Sequence, residues 1–189
     1  MAPSVMDLPA SWAFYRKYHR NAVNVRIHLV CVPIIVLTFL SMLAWGLEWT
    51  GFVQVGHGVR YSGAVAVAYA VFCALLDKRA GVAALPYMLF LWQMSRTLMR
   101  FVAPPVRAVQ VAVLLHAFAW VAQFIGHGAF EGSRPALVDN LVQSFLTAPL
   151  FVLLEICFKM RMFPQLERQL FLSRMTAAPE STPGGASAQ

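Results

Sequence analysis

Apolar residues fall along this chain in runs of membrane-crossing length, separated by short clusters of basic and turn-forming residues. Ile27–Leu47 meets the length of about 20 residues that an α-helix needs to cross a bilayer. Tyr61–Leu76 and Ala80–Ser95 are shorter, and only Asp77, Lys78 and Arg79 separate them, which predicts a tight helical hairpin. Ala108–Phe130 is a fourth run. Asn140–Leu154 contains Pro149 and meets Glu155, so it reads either as a span or as a re-entrant or interfacial helix. The pattern predicts an all-α fold, a polytopic membrane helical bundle of four to five apolar helices. We expect one membrane-embedded domain over residues 11–175, with no linker. Residues 1–10 and the Ala/Pro/Ser/Gly-rich tail, residues 176–189, are expected to be disordered.

The polar positions inside these runs sharpen the picture. At about 100° per residue, His116, Trp120, Gln123, His127 and Glu131 share one stripe of the fourth helix. An apolar helix that gathers its polar groups on one stripe shields them from lipid, and ionisable groups at membrane depth are read as functional by default. The plainer reading is that these histidines are hydrogen-bonded packing residues between helices.

A second cluster precedes the first run. Tyr15 and His19 are four residues apart, as are Asn24 and His28, so each pair can share a helical face. His19 and His28 are nine apart and point to opposite sides of a straight helix. They converge only if the chain bends between them, and Asn21–Asn24 offers a helix cap for such a bend. Taken alone, this segment also reads as an amphipathic helix in the head-group zone.

Composition agrees with a membrane protein. Of the 189 residues, 59% are hydrophobic and only 12% charged, where a soluble domain carries about 25% charge; mean hydropathy is +0.63. No secretory signal is evident, because the first run follows Arg16, Lys17, Arg20 and Arg26 and lacks a small-residue cleavage site. The expected location is an integral one, in a bacterial inner membrane or, in a eukaryote, the endoplasmic reticulum. The net charge of +7 lies mostly between apolar runs, where it orients helices and meets anionic head groups. The bilayer is therefore the expected partner, and nucleic acid is not. Cys31, Cys73 and Cys157 sit in separate runs without metal-ligand spacing and read as small buried hydrophobes.

Charge and site pull the topology in different directions. Keeping Lys78, Arg79, Arg96, Arg100, Arg107 and the terminal basic clusters all on the cytoplasmic side makes Ala80–Ser95 re-entrant. That puts His127 on the far side from His19 and His28. If Ala80–Ser95 is a true span, the three histidines return to one side, and this is the arrangement we expect. Imidazole suits iron, zinc, copper and nickel, and three or four histidines from the two segments could enclose one ion.

The combination Tyr15-x3-His19-x4-Asn24-x3-His28-x4-Pro33, with Trp120-x2-Gln123-Phe-x-Gly126-His127-x3-Glu131-x3-Pro135-Ala136-Leu137 downstream, resembles a specific family. It is similar to the small membrane dioxygenases typified by the fungal 2-hydroxy fatty acid dioxygenase of fatty acid α-oxidation, over about residues 11–160. The resemblance implies an iron(II) enzyme that takes a 2-hydroxy fatty acid and O2 and releases an acid one carbon shorter. It implies His19, His28 and His127 as principal iron ligands and His116 as a fourth. Asn24 and Glu131 would orient ligands or shuttle protons. Arg134 is a candidate for the substrate carboxylate, or equally for lipid phosphate, and Tyr15 and Gln123 are further substrate-side candidates. His57, in a loop outside the pattern, receives no role. The rival readings are a histidine-lined metal or proton transporter, a non-catalytic membrane scaffold, and a haem protein with axial histidines.

Overall fold

Seven α-helices and one π-helical turn make up the described part of the chain, residues 4–52, 54, 57–132 and 141–176 of a computed structural model. They are α1 (Leu8–Tyr18), α2 (Ala22–Trp49), α3 (Gly58–Leu76), α4 (Lys78–Phe101), α5 (Pro105–Ile125), α6 (Leu141–Lys159) and α7 (Pro164–Thr176). The π-helical turn, Gly126–Glu131, continues directly from α5. The all-α reading holds, and no strand occurs among the described residues.

Three of these helices are long and apolar enough to cross a membrane: α2, α3 and α5 with its π turn. Their outward faces carry Val30, Phe39, Val71, Leu75, Leu114 and Phe118, all exposed. Such continuous apolar surface suits lipid contact rather than water. The Ala80–Ser95 run lies inside α4, a continuous helix with Lys78 and Arg79 at its start and Arg96 and Arg100 near its end. Its polar ends keep it out of the three-helix set, although it runs as one unbroken helix of 24 residues.

α2 is the hub and packs on α3, α4, α5 and α6. The predicted hairpin forms because Asp77 breaks the apolar run with extended backbone and caps α4, accepting from the Arg79 and Ala80 N–H groups. Gly81 there meets Ala74 of α3 so closely that a side chain would collide. α5 runs antiparallel to α2, with His127 beside His28 at one end and His116 beside Thr38 further along.

The largest core cluster joins Trp12 and Tyr15 of α1, Cys73 of α3, Ala84 of α4, Phe151 and Leu154 of α6, and Leu170 of α7. α6 carries Pro149 within it, which has no N–H to give. The Tyr69 hydroxyl enters the helix there, donating to Leu146 O at 2.8 Å and accepting from the Leu150 N–H at 3.0 Å.

The N-terminus differs from expectation. Asp7 caps α1, its carboxylate accepting from the Ala10 N–H, and Leu8 is buried. Order therefore begins before residue 10, because an Asp-Leu-Pro start pairs a capping side chain with a proline in the first turn. The tail beyond residue 176 lies outside the described residues.

Candidate metal centre

The bend needed to bring His19 and His28 together is present. α1 ends at Tyr18, His19 leaves helical geometry with φ −133° and ψ 68°, and Asn21 caps α2 by accepting from the Val23 N–H. His19 then faces back toward His28 on the second turn of α2, and His127 of the π turn closes the group from across the bundle. Ring centroids are 4.5 Å apart for His19–His28 and 4.9 Å for each of the other two pairs, with interplanar angles of 77–86°. All three side chains are buried, and one ligand-capable nitrogen from each lies within 4.8 Å of the others.

Backbone carbonyls fix how two of the rings face. His19 Nδ1 lies 2.9 Å from Tyr15 O, and His28 Nδ1 lies 2.9 Å from Asn24 O. A carbonyl only accepts, so each Nδ1 carries the proton and donates it, leaving the lone pair on Nε2. His19 Nε2 and His127 Nδ1 are buried without a hydrogen-bond partner. Burial first, and then the neighbouring His28 imidazole, pull the His19 pKa down to about 2, so its ring is neutral. Two buried unpartnered ring nitrogens in one converging group of neutral donors fit a borderline metal ion. The rings stand edge to face at centroid distances of 4.5–4.9 Å, too close for a flat macrocycle to lie between them.

Around the histidines, Glu131 ties the two halves of the site together. Its Oε1 accepts from the Arg20 N–H at 2.7 Å, and Oε2 accepts from the Asn21 N–H at 3.0 Å and from Asn24 Nδ2 at 3.1 Å. The carboxylate thus sits on the donor-rich start of α2, where a negative charge is favoured. Asn24 is fully buried, and its own carbonyl holds His28. Gly126 is required by this closeness: a Cβ there would lie 2.6 Å from Asn24 Oδ1. Gly132 ends the π turn at φ 64°, in the left-handed region that glycine occupies without strain.

The other sequence candidates fall as follows. Tyr15 stacks on His19 with centroids 4.1 Å apart, and its buried hydroxyl has no partner. Burial raises its pKa well above the ordinary tyrosine value, so the phenol stays protonated. Gln123 is buried in the stripe, its Nε2 donating to Ala119 O at 3.4 Å. Arg134 lies outside the described residues.

His116 is not brought to the trio. Trp120 Nε1 donates to His116 Nε2 at 3.0 Å, so the ring proton sits on Nδ1, which donates to Thr38 Oγ1 at 2.9 Å. The Thr38 hydroxyl passes its own proton to Ile34 O at 2.7 Å. Both His116 nitrogens are engaged, about 16 Å along the helix from His127 at 1.5 Å per residue. Thr38 escaped the sequence reading; its only signal was a hydroxyl which, with Ser41, interrupts an apolar run.

The fold and site together define a helical bundle with three membrane-length helices and a buried cluster of three histidines whose spacing suits a metal ion. Over residues 5–160 the chain matches the family described as Mpo1-like, 2-hydroxy-palmitic acid dioxygenase Mpo1-like. It is similar to the 2-hydroxy-palmitic acid dioxygenase MPO1 of Saccharomyces cerevisiae, at 32% identity over 170 residues, covering 90% of this chain and 91% of that protein. No solved structure matches it. The chain belongs to the Mpo1-like family.

Proposed function

We propose that this protein is an iron(II)-dependent dioxygenase that converts a 2-hydroxy fatty acid and O2 into the fatty acid one carbon shorter, CO2 and water. The observation that carries the reading is the convergence of His19, His28 and His127, two of them with an unpartnered buried ring nitrogen, in a chain of this family. The stoichiometry closes without a further reductant. RCH(OH)COOH plus O2 equals RCOOH, CO2 and H2O, and the substrate supplies all four electrons. Iron, when bound, supplies the oxygen chemistry.

The protein's own groups hold and orient. His19 and His28 are aimed by their bonds to Tyr15 O and Asn24 O. Glu131 and Asn24 keep the π turn against the start of α2, and so keep His127 in reach of the other two. We assign Tyr15 to the substrate side, since its protonated hydroxyl is free to donate to a carboxylate. An aliphatic tail is accommodated by lipid beside the bundle, which gives a physical reason for a membrane-embedded enzyme.

The test is oxygen uptake by detergent-purified, iron(II)-loaded protein given 2-hydroxypalmitate, with product analysis by mass spectrometry. We expect one pentadecanoate per O2 consumed, with loss of activity and iron in His19→Ala, His28→Ala and His127→Ala. No uptake by folded, iron-loaded protein across several 2-hydroxy acid lengths would overturn the reaction. Full activity and iron content in all three variants would overturn the site.

A further inference from the structure

The end of the bundle away from the histidines carries a second constellation. Glu48 is twenty residues beyond His28 on α2, about 30 Å at 1.5 Å per residue, so this end lies at the opposite face of the apolar layer. Here α2, α3 and α4 frame an open cup of about 450 Å³ whose lining includes Trp45, Glu48, Arg60, Trp92, Arg96 and Arg100. Its lining holds three arginines and a single carboxylate, and Glu48 Oε1 is already engaged by the Gly58 N–H at 2.8 Å. Arg96 lies over the Trp92 ring, its guanidinium carbon 4.9 Å from the centroid, and donates to Gln93 Oε1 at 3.1 Å. Its Nε is buried with no partner. The cup therefore has more positive charge than the protein neutralises, and a donor left over.

Trp45 also borders a second, open groove of about 470 Å³, almost wholly apolar, which runs along α5 past Val106, Val109, Gln110, Val113 and Leu114. Cup and groove meet at Trp45 and at the consecutive residues Pro105 and Val106. Tryptophans cluster at this level, Trp45 stacking on Trp49 with centroids 5.4 Å apart, as side chains do at the head-group depth of a bilayer.

We propose that cup and groove form one binding site for an anionic phospholipid, distinct from the histidine centre. The phosphate sits among Arg60, Arg96 and Arg100, and one acyl chain lies in the groove between α2 and α5. Planar guanidinium forks match phosphate oxygens, and basic pockets between membrane helices take anionic head groups in this way. A free anion would satisfy the cup alone, but it leaves the adjoining apolar groove without a role.

Native mass spectrometry and thermal melting of the detergent-purified chain test this, with phosphatidylglycerol, phosphatidylcholine of the same acyl chains, and inorganic phosphate as separate probes. We expect phosphatidylglycerol to be retained one per chain and to raise the melting midpoint, with phosphatidylcholine at least about tenfold weaker. Arg60→Gln/Arg100→Gln is expected to weaken phosphatidylglycerol at least about tenfold, as each arginine near anionic lipid contributes about fivefold, with the metal content of the histidine centre unchanged. Val113→Trp, at an exposed groove position, is expected to displace the acyl chain and lower affinity while leaving the arginines intact. Equal retention of the two lipids, or an equal melting shift from inorganic phosphate, overturns the lipid assignment. Undiminished phosphatidylglycerol binding in the groove variant overturns the placement, even if the arginine variant fails to fold.

Discussion

Gly126→Ala is the sharpest probe of how the histidine centre is held, because two physical effects oppose each other at that position. A helical glycine replaced by alanine ordinarily gains about 0.5–1 kcal/mol from reduced backbone freedom in the unfolded chain. Here the new methyl would lie 2.6 Å from Asn24 Oδ1 and 3.2 Å from Ile27 Cδ1. Asn24 cannot yield freely: it is fully buried, and its Nδ2 holds Glu131 at 3.1 Å and Tyr18 O at 3.3 Å. Overpacking of this kind costs about 1–3 kcal/mol, and losing the charged bond to Glu131 adds to it, so we expect a net loss of about 1 kcal/mol or more. Gly128, two residues on in the same π turn, faces open space, with no atom within 4 Å of where a Cβ would sit, and its φ is an ordinary negative one. Gly128→Ala should therefore be neutral or stabilising by about 0.5 kcal/mol. Both variants can be unfolded in mixed dodecylmaltoside–SDS micelles and their metal counted by elemental mass spectrometry. If Gly126→Ala matched the parent in stability and metal content, or if Gly128→Ala were equally harmful, the reasoning would fail.

Three further expectations rest on single contacts. His116→Leu should lower stability by about 1–3 kcal/mol by stranding the Trp120 N–H, yet keep the metal that His127→Ala loses; parallel metal analysis of the two variants separates a packing histidine from a ligand. Arg79 first of all, by hydrogen bonding, holds the Asp77 carboxyl below the usual range. Its stabilisation is then complete above the unfolded carboxyl value of about 4 and fades as pH falls through the lower folded value. Asp77→Ala should cost about 1 kcal/mol at pH 7, and its difference from the parent in unfolding titrations should narrow toward pH 3. Tyr69→Phe should cost about 1–2 kcal/mol, since Leu150 N–H and Leu146 O lose the hydroxyl between them. Faster amide exchange around Pro149, with α3 unaffected, would mark the loss as local.

The sequence disclosed helices more readily than depth. Long apolar runs with few interior charges have one workable structure in lipid, so α2, α3 and α5 were legible, as was the Asp77 hairpin. The convergence of His19 and His28 was legible as a condition, a bend at Asn21, because a capping residue marks where one helix must stop. The stripe on α5 was read as polar groups shielded from lipid, and His116 and His127 both meet α2. Periodicity gives an angle around a helix and says nothing of what stands opposite at each level. His116 therefore met Thr38 where the spacing offered a fourth ligand. The π turn was hidden for a related reason, as its extra residue per turn leaves no mark in the pattern of apolar positions. Glu131 was singled out, but not its attachment to the backbone of Arg20 and Asn21, because N–H groups carry no sequence signature.

The three histidines also set an order of events during biosynthesis. His19 and His28 leave the ribosome early, whereas His127 follows about a hundred residues later, after α2, α3, α4 and the whole of α5. Until then a nascent chain can offer an ion two imidazoles at most, and only once α5 has docked along α2 does the third arrive. On the reading proposed above, the complete three-histidine site is thereby confined to chains in which α5 has docked along α2, and a truncated product ending before α5 would lack the third ligand.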